Sequence, residues 1–162
     1  MGNTFGHNVT IGESKFGKGL FATNQFTKGL VLFIFTGQII HFTDTVSLGD
    51  NECYPIQIDK EKYLNPDNPW CFINHSCDPN CGINSNLELV AIKNINIGDE
   101  IYFDYSTSML ERRWQMNCLC NSSNCRQIIQ DFDLLPADIQ LKYLNLDIVQ
   151  PFIKRLINDR HS

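Results

Sequence analysis

Short apolar runs separated by turn-forming residues dominate the first two thirds of the chain. Residues 30–35 form an apolar run that ends at a Thr-Gly pair, and residues 54–58 alternate between apolar and polar positions. Similar runs occupy residues 39–40, 87–92 and 101–105, the last after an Asn-Ile-Gly-Asp-Glu turn. Apolar runs of this length, bounded by glycine and asparagine, are typical of strands. The pattern therefore predicts a mainly β domain of the α+β class.

The pattern changes to helical spacing near the C-terminus. Pro136 suits the first turn of a helix, and Ile139, Tyr143 and Leu144 after it can share one helix face. A second amphipathic segment carries an apolar stripe formed by Ile148, Phe152, Ile153, Leu156 and Ile157. We therefore predict a helical C-terminal extension over residues 131–162. Its stripe is expected to pack on the same chain rather than to dimerise or to hold substrate.

Length, composition and charge narrow the class of protein. The chain has 162 residues, 43% of them hydrophobic, which suits one globular domain with its own core. A net charge of −5 and a pI near 5.2 argue against direct nucleic-acid binding, which needs a basic surface, and favour a basic protein partner. No apolar stretch reaches the roughly 20 residues of a membrane span, and the first residues lack the pattern of a secretory signal. We therefore predict an intracellular protein, cytoplasmic or nuclear, without membrane contact.

Two segments are dense in reactive side chains. Residues 72–81 read F-I-N-H-S-C-D-P-N-C, and the turn-forming residues in them predict an irregular segment. Residues 118–125 read C-L-C-N-S-S-N-C. Inside cells, cysteines are more often thiols or metal ligands than disulfides. Three thiols at this spacing can bind a tetrahedral Zn²⁺ if a fourth ligand comes from elsewhere. The candidates for that ligand are Cys53, Cys71, Cys77 and Cys81; the spacing alone leaves the choice open.

Four motifs follow one another along the chain. Residues 16–22 read F-G-K-G-L-F-A, residues 72–80 contain N-H-S-C-x-P-N, residues 98–105 read G-D-E-I-Y-F-D-Y, and residues 118–125 fit C-x-C-x4-C. In this order the motifs resemble the SET domain, the catalytic module of protein-lysine methyltransferases, with a post-SET zinc segment. A lone G-x-G is weak evidence, whereas the N-H-S-C signature is specific. The chain departs from the family at Cys71, where an arginine is usual.

The resemblance implies a fold, a division of the chain and an activity. The SET fold consists of several small sheets with a knot-like threaded segment, here expected over residues 8–106, with the post-SET segment over residues 114–128 and the extension after it. The family uses S-adenosyl-L-methionine as methyl donor, and the donor and the target lysine enter from opposite faces. The expected substrate is a histone tail or another basic protein with an exposed lysine. The expected protein is a monomer or homodimer, acting in a host nucleus if its source is bacterial or viral.

The resemblance also assigns residues to the methyl donor. Glycine permits close backbone approach because it has no Cβ, and the first motif supplies glycines at the positions that contact the donor in the family. The Asn-His pair of the second motif and an earlier tyrosine contact it as well. The expected donor-binding residues are Phe16, Gly17, Lys18, Gly19, Tyr54, Asn74, His75 and Tyr105.

Tyr105 is the expected catalytic residue. A free lysine has a pKa of about 10.4, so roughly one in a few thousand is neutral at pH 7. A desolvated channel lowers that pKa, and a tyrosine hydroxyl can orient the amine and the methyl group through weak contacts. The resemblance places Phe103 and Phe35 in the substrate channel. Phenylalanine at 103 leaves room for di- or trimethylation, whereas Phe35 replaces a channel tyrosine and removes one polar contact to the amine.

The resemblance also chooses the fourth zinc ligand, the cysteine of the N-H-S-C signature. The bound metal would tie the post-SET loop against the active site as one wall of the lysine channel. The remaining cysteines are then ordinary buried or free thiols. The expected Zn²⁺ ligands are Cys77, Cys118, Cys120 and Cys125.

Two other functions fit parts of the sequence. A catalytically weak SET module, acting as a zinc-stabilised protein-binding domain, would suit the change at Phe35, but it does not require the intact Asn74, His75 and Tyr105. A small zinc-ribbon protein that binds nucleic acid would leave residues 72–81 unexplained and lacks the basic surface. The enzyme is therefore the leading interpretation.

Overall fold

The structure is a computed structural model that describes residues 4–5 and 8–160. Most of the N-terminal segment in which the sequence predicts no secretory signal lies outside the described residues. Short strands follow one another along most of the chain. The strands are β1 (Thr4–Phe5), β2 (Val9–Ser14), β3 (Gly17–Ala22), β4 (Val31–Ile34), β5 (Gly37–His41), β6 (Ile56–Asp59), β7 (Lys62–Pro66), β8 (Asn74–His75), β9 (Cys81–Ile83), β10 (Glu88–Ala91), β11 (Tyr102–Phe103), β12 (Met116–Asn117) and β13 (Ile128–Ile129).

These strands form several small sheets, as the sequence predicts. Antiparallel sheets have the orders β1-β2-β3, β4-β10-β9 and β5-β7-β6, and β12 pairs with β13. Strand β8 pairs with β11 in parallel, so that Asn74 lies opposite Tyr102 and His75 opposite Phe103. This pairing joins the second and third sequence motifs. The mainly β, α+β fold class with a C-terminal helical part is confirmed.

One apolar core holds these sheets together. Its most buried members come from strands of different sheets and from the chain just before β11, and include Val9, Leu20, Ile83, Leu89 and Ile101, each 0% exposed. Burial of aliphatic side chains is the main favourable contribution to folding. The core therefore fixes the strands that carry the motifs.

The first motif forms part of the turn and the second strand of a hairpin. Ser14 pairs with Gly17 across a turn made of Lys15 and Phe16, and Gly17 has a φ of +98°, which favours glycine. The rest of the motif continues as β3, because alternate side chains such as Leu20 are buried in the core.

The predicted strand over residues 101–105 is wrong at its C-terminal end. Strand β11 stops at Phe103, and a 3₁₀ turn spans Tyr105–Ser108. The Asp104 carboxylate accepts a hydrogen bond from the Ser106 N–H at 3.1 Å and so caps this turn. The apolar and aromatic pattern of this segment concealed the cap. The turn reorients the backbone that carries Tyr105.

The C-terminal extension is helical and packs on the same chain. A short helix α1 (Phe42–Thr45) precedes it, and the extension contains α2 (Ala137–Asn145) and α3 (Pro151–Arg160). Its predicted stripe joins a second buried cluster that includes Ile92 of the β domain. Ile148 lies between the helices rather than within the second one, since α3 begins at a proline that suits a first helical turn. None of the helices among the described residues is long and apolar enough to span a membrane.

Candidate active site

Two cavities meet beside the second and third sequence motifs. The larger cavity has a volume of about 530 Å³ and the smaller one about 210 Å³. Four residues line both cavities: Cys53, Tyr54, Cys71 and Tyr105. These residues mark the place where a group in one cavity can contact a group in the other.

The larger cavity collects nearly all the residues that the sequence predicts for the methyl donor. Phe16, Gly17 and Lys18 lie on one side of it, and Tyr54, Asn74, His75 and Tyr105 complete that set. Its lining also contains residues that the sequence did not assign to the methyl donor. These additional residues include Asp50, Cys53, Cys71, Met116, Asn117 and Leu119.

Gly19 is an exception among the predicted donor-binding residues, because it does not line the larger cavity. A Cβ at this position would lie 2.4 Å from Oε1 of Glu100. That carboxylate accepts hydrogen bonds from Tyr102 at 2.6 Å and from Ser14 at 3.0 Å. Close packing against Glu100 is therefore a reason for glycine at this position.

The side chains of Asn74 and His75 are both turned toward protein groups. The Asn74 amide donates to the Lys18 carbonyl at 2.9 Å and to Glu100 at 2.8 Å, which holds the hairpin turn against β8. His75 Nδ1 accepts from the Tyr105 N–H at 3.1 Å. Burial lowers the pKa of His75 to about 4, although Asp104 raises it. The ring is therefore neutral, carries its proton on Nε2 and contacts Cys77 Sγ at 3.4 Å.

Tyr105 is fixed at both ends. Its N–H is bound by His75, and its hydroxyl donates to the Ile73 carbonyl at 2.7 Å. Burial raises the pKa of the phenol above its ordinary value. The group therefore remains a neutral hydroxyl whose oxygen can still accept weak contacts, and it is unsuited to act as a base.

Seven aromatic side chains line the smaller cavity. Phe103 is 5% exposed, lies 4.8 Å from the Tyr105 ring centroid and lines this cavity. Phe35 lines neither cavity. It is 4% exposed and packs edge-on against Phe33 at 5.2 Å, because the strand that precedes it turns its side chain into the core. The aromatic lining consists of Phe42, Tyr54, Tyr63, Trp70, Phe103, Tyr105 and Trp114.

Four thiols form a compact cluster behind the larger cavity. The Sγ atoms of Cys77, Cys118, Cys120 and Cys125 all lie within 4.8 Å of one another, and Cys77 lies 3.7 Å from Cys118. Tetrahedral Zn²⁺ with Zn–S bonds of 2.3 Å separates its sulfurs by about 3.8 Å, so this cluster fits the ion. Burial alone would raise the pKa of Cys120. Hydrogen bonds from Ser122 and from backbone groups outweigh this effect and lower the pKa to about 6. Such a thiol readily becomes a thiolate ligand.

The expected post-SET segment, residues 114–128 and called the thiol segment here, contributes to both cavities. Its Met116, Asn117, Leu119 and Cys120 line the larger cavity, whereas Trp114 lines the smaller one. Asn121 has a φ of 55°, a left-handed backbone conformation that asparagine tolerates better than most residues.

A buried carboxylate connects the active site to the other two parts of the chain. Asp104, 1% exposed, forms an ion pair with Arg126 at 2.8 Å and accepts a hydrogen bond from the Tyr143 hydroxyl at 2.8 Å. Arg126 directly follows Cys125 in the chain, and its backbone N–H donates to Cys77 Sγ at 3.4 Å. The residue before Tyr105 is thus bound by the thiol segment and by α2.

Several characterised proteins are similar to this chain. Histone-lysine N-methyltransferase set1 of Dictyostelium discoideum is 30% identical over 128 residues, which cover 68% of this chain and 8% of the relative. Histone-lysine N-methyltransferase SMYD3 of Homo sapiens is 38% identical over 79 residues, covering 43% and 18%. The chain spans less than a third of the length of the curated relatives that it matches.

Solved structures share the fold. A humanized mutant of the Chaetomium thermophilum Polycomb Repressive Complex 2, bound to the inhibitor GSK343, has a TM-score of 0.55 and 22% identity over 64% of this chain and 16% of that one. The structure of ctPRC2 in an autoinhibited conformation, bound to S-adenosylmethionine, has a TM-score of 0.55 and 23% identity over the same shares.

The family comparison covers most of the β domain and the four residues that line both cavities. The SET domain matches residues 17–106. That range holds the first motif except Phe16, the whole of the second and third motifs, and every residue of β8 and β11. Since it is more than half of the chain, the protein belongs to the SET domain family.

Proposed function

We propose that this protein is a protein-lysine N-methyltransferase that uses S-adenosyl-L-methionine. The larger cavity holds the methyl donor, and the smaller cavity admits the side chain of the target lysine. The observation that carries the proposal is the position of Tyr105, which lines both cavities and therefore lies where donor and acceptor meet. Family membership supports the same reaction.

The larger cavity suits the proposed donor. Its volume of about 530 Å³ lies within the range of about 300–1,000 Å³ that small-molecule sites occupy. Aromatic rings of Phe16, Tyr54 and Phe72 line it beside the polar backbone of the hairpin turn. When bound, the donor supplies a methyl group on a positively charged sulfur.

The smaller cavity prepares the lysine for this reaction. Its aromatic walls remove water from the entering side chain, which disfavours the ammonium form and lowers the pKa of the lysine. The Tyr105 hydroxyl, held by the Ile73 carbonyl, offers its oxygen to the reacting groups through weak contacts. Alignment of the amine is then the main contribution of the protein to the rate.

The residue at position 103 determines how many methyl groups the amine can accept. Phe103 places an apolar ring beside Tyr105 and contributes no hydroxyl to the smaller cavity. A methylated amine therefore meets no tightly held polar group at this position. We propose that the enzyme can form di- or trimethyl-lysine.

We propose that Zn²⁺ binds to Cys77, Cys118, Cys120 and Cys125. The metal would have a structural role, since four thiolates complete a tetrahedral site and leave no open position for a substrate. It would hold the thiol segment as a wall of the larger cavity. The proposed units are accordingly the SET domain over residues 8–106, the zinc segment over residues 114–128 and the helical extension after it.

A basic protein is the proposed substrate. The net charge of −5 favours association with a basic chain, and histones stand in the names of the relatives. A histone substrate would place the enzyme in a nucleus. The alternative of a catalytically weak binding module was favoured by the loss of a channel tyrosine at Phe35, but that side chain lies outside the smaller cavity.

Methyl-labelled donor tests the proposed function. The protein is incubated with the labelled donor and with core histones or a lysate, and modified sites are mapped by mass spectrometry. We expect label on lysine side chains of basic proteins, and no label with the Tyr105→Phe variant. Cofactor binding by calorimetry without transfer to any lysine would favour the binding module.

A further inference from the structure

The smaller cavity contains a carboxylate away from the reaction centre. Glu111 lines this cavity, is half-buried and accepts a hydrogen bond from the Tyr63 hydroxyl. A carboxylate has about four lone-pair directions, so this bond orients the group and leaves capacity for a second donor. None of the ion pairs among the described residues includes Glu111.

The other charged groups around Glu111 do not neutralise this position fully. Arg113 is the cation in the lining, and both of its terminal nitrogens are bound by Glu61 at 3.0 Å, while its guanidinium lies 3.9 Å from the Phe42 ring. Asp131 acts on Glu111 with a like charge. Glu52 also lines the cavity. The lining therefore presents more negative than positive charge.

Burial makes the isolated charge of Glu111 costly. Desolvation raises the pKa of Glu111, and Asp131 raises it further, whereas Tyr63 and Arg113 lower it. A cation that enters the cavity would compensate this cost, because charge-assisted hydrogen bonds are stronger than neutral ones. The rings of Tyr63 and Trp114 in the same lining can contribute cation–π attraction.

Glu111 and its neighbours lie outside the larger cavity, where the methyl donor is proposed to bind. Its partner Tyr63 lies 6.1 Å from Phe42, and Phe42 is in turn covered by Arg113. None of these four residues lines the larger cavity, whereas Tyr105 does. Glu111 therefore belongs to a group of side chains that line the smaller cavity alone.

We propose that Glu111 and Tyr63 form a subsite for a positively charged residue that flanks the target lysine. This inference rests on the proposed function and specifies its substrate class as lysines within basic sequences that carry a neighbouring arginine or lysine. The Tyr63 hydroxyl orients the carboxylate, and the aromatic walls bind the aliphatic and planar parts of the flanking side chain.

A peptide series tests the subsite. Peptides containing the lysine mapped in the labelling experiment carry alanine at every flanking position, and arginine is then restored at one position at a time. For the wild type we expect one or two positions at which arginine raises kcat/KM about tenfold, as for a hydrogen bond to a charged group. In Glu111→Gln this gain should fall below about threefold, because glutamine keeps the shape and loses the charge.

Two further variants separate a specific subsite from a general charge effect. Asp138→Asn removes the same charge from an exposed position in the first turn of α2 and should keep the full gain. Glu111→Lys should make glutamate the preferred residue at the same flanking position. A gain that persists in Glu111→Gln, or that is absent in the wild type, overturns the subsite. Failure of the wild type to methylate any peptide would instead overturn the proposed function.

Discussion

Replacement of Asp104 by asparagine would break the connection between the active site, the thiol segment and α2. The variant keeps the shape of the side chain but removes the charge that pairs with Arg126 at 2.8 Å. The guanidinium would then remain without its carboxylate in a largely buried position, and removal of one member of a buried pair costs about 3–5 kcal/mol. At about 2–4 °C per kcal/mol for a chain of this size, the midpoint of thermal unfolding should fall by roughly 6–20 °C.

Graded variants make this prediction quantitative. Tyr143→Phe removes one hydrogen bond to the same carboxylate and should cost about 1.5–3 kcal/mol. Asp138→Asn, on the exposed surface of α2, should change stability by no more than about 0.5 kcal/mol. Urea and thermal unfolding followed by circular dichroism, with zinc present, measure all three. A loss below about 1 kcal/mol for Asp104→Asn would refute the reasoning that this ion pair anchors the two segments.

Three further predictions concern metal, pH and product. Removal of zinc with a chelator, or Cys77→Ser, should abolish both donor binding and methyl transfer, because the thiol segment forms a wall of the larger cavity; donor affinity that survives complete metal removal would contradict this coupling. Because burial raises the pKa of Tyr105, its hydroxyl stays protonated, and kcat/KM should rise about tenfold per pH unit from pH 7 to 9 as the substrate lysine loses its proton; a flat profile would contradict this. Phe103→Tyr should restrict the product to monomethyl-lysine by mass spectrometry, and unchanged di- or trimethylation would contradict the proposed role of Phe103.

The sequence predicted the fold where local signals and burial agree. Residues 30–35 and 87–92 contain β4 and β10, because short apolar runs between turns have few other ways to be buried. The end of the 101–105 run was predicted wrongly, since the Asp104 cap acts through a local hydrogen bond that hydropathy does not show.

In the candidate site, too, the sequence indicated some features, while others depend on contacts between distant segments. Spacing left four candidates for the fourth thiol, and the resemblance to the SET domain indicated Cys77; the structure brings its sulfur together with those of the three distant thiols. The reason for glycine at position 19 depends on Glu100, a contact between segments far apart in the chain. The position of Glu111 in the smaller cavity likewise results from tertiary packing. No local sequence pattern marks either contact.

The central claim is that Tyr105 acts where two cavities meet, and paired measurements on Tyr105→Phe test it most directly. Donor affinity by calorimetry and the single-turnover rate of methyl transfer are measured on wild type and variant. We predict a donor affinity within about threefold of wild type and a transfer rate at least about 10²-fold lower, the scale expected when reacting groups are misaligned. A transfer rate equal to that of the wild type, or a loss explained entirely by weaker donor binding, would contradict the account.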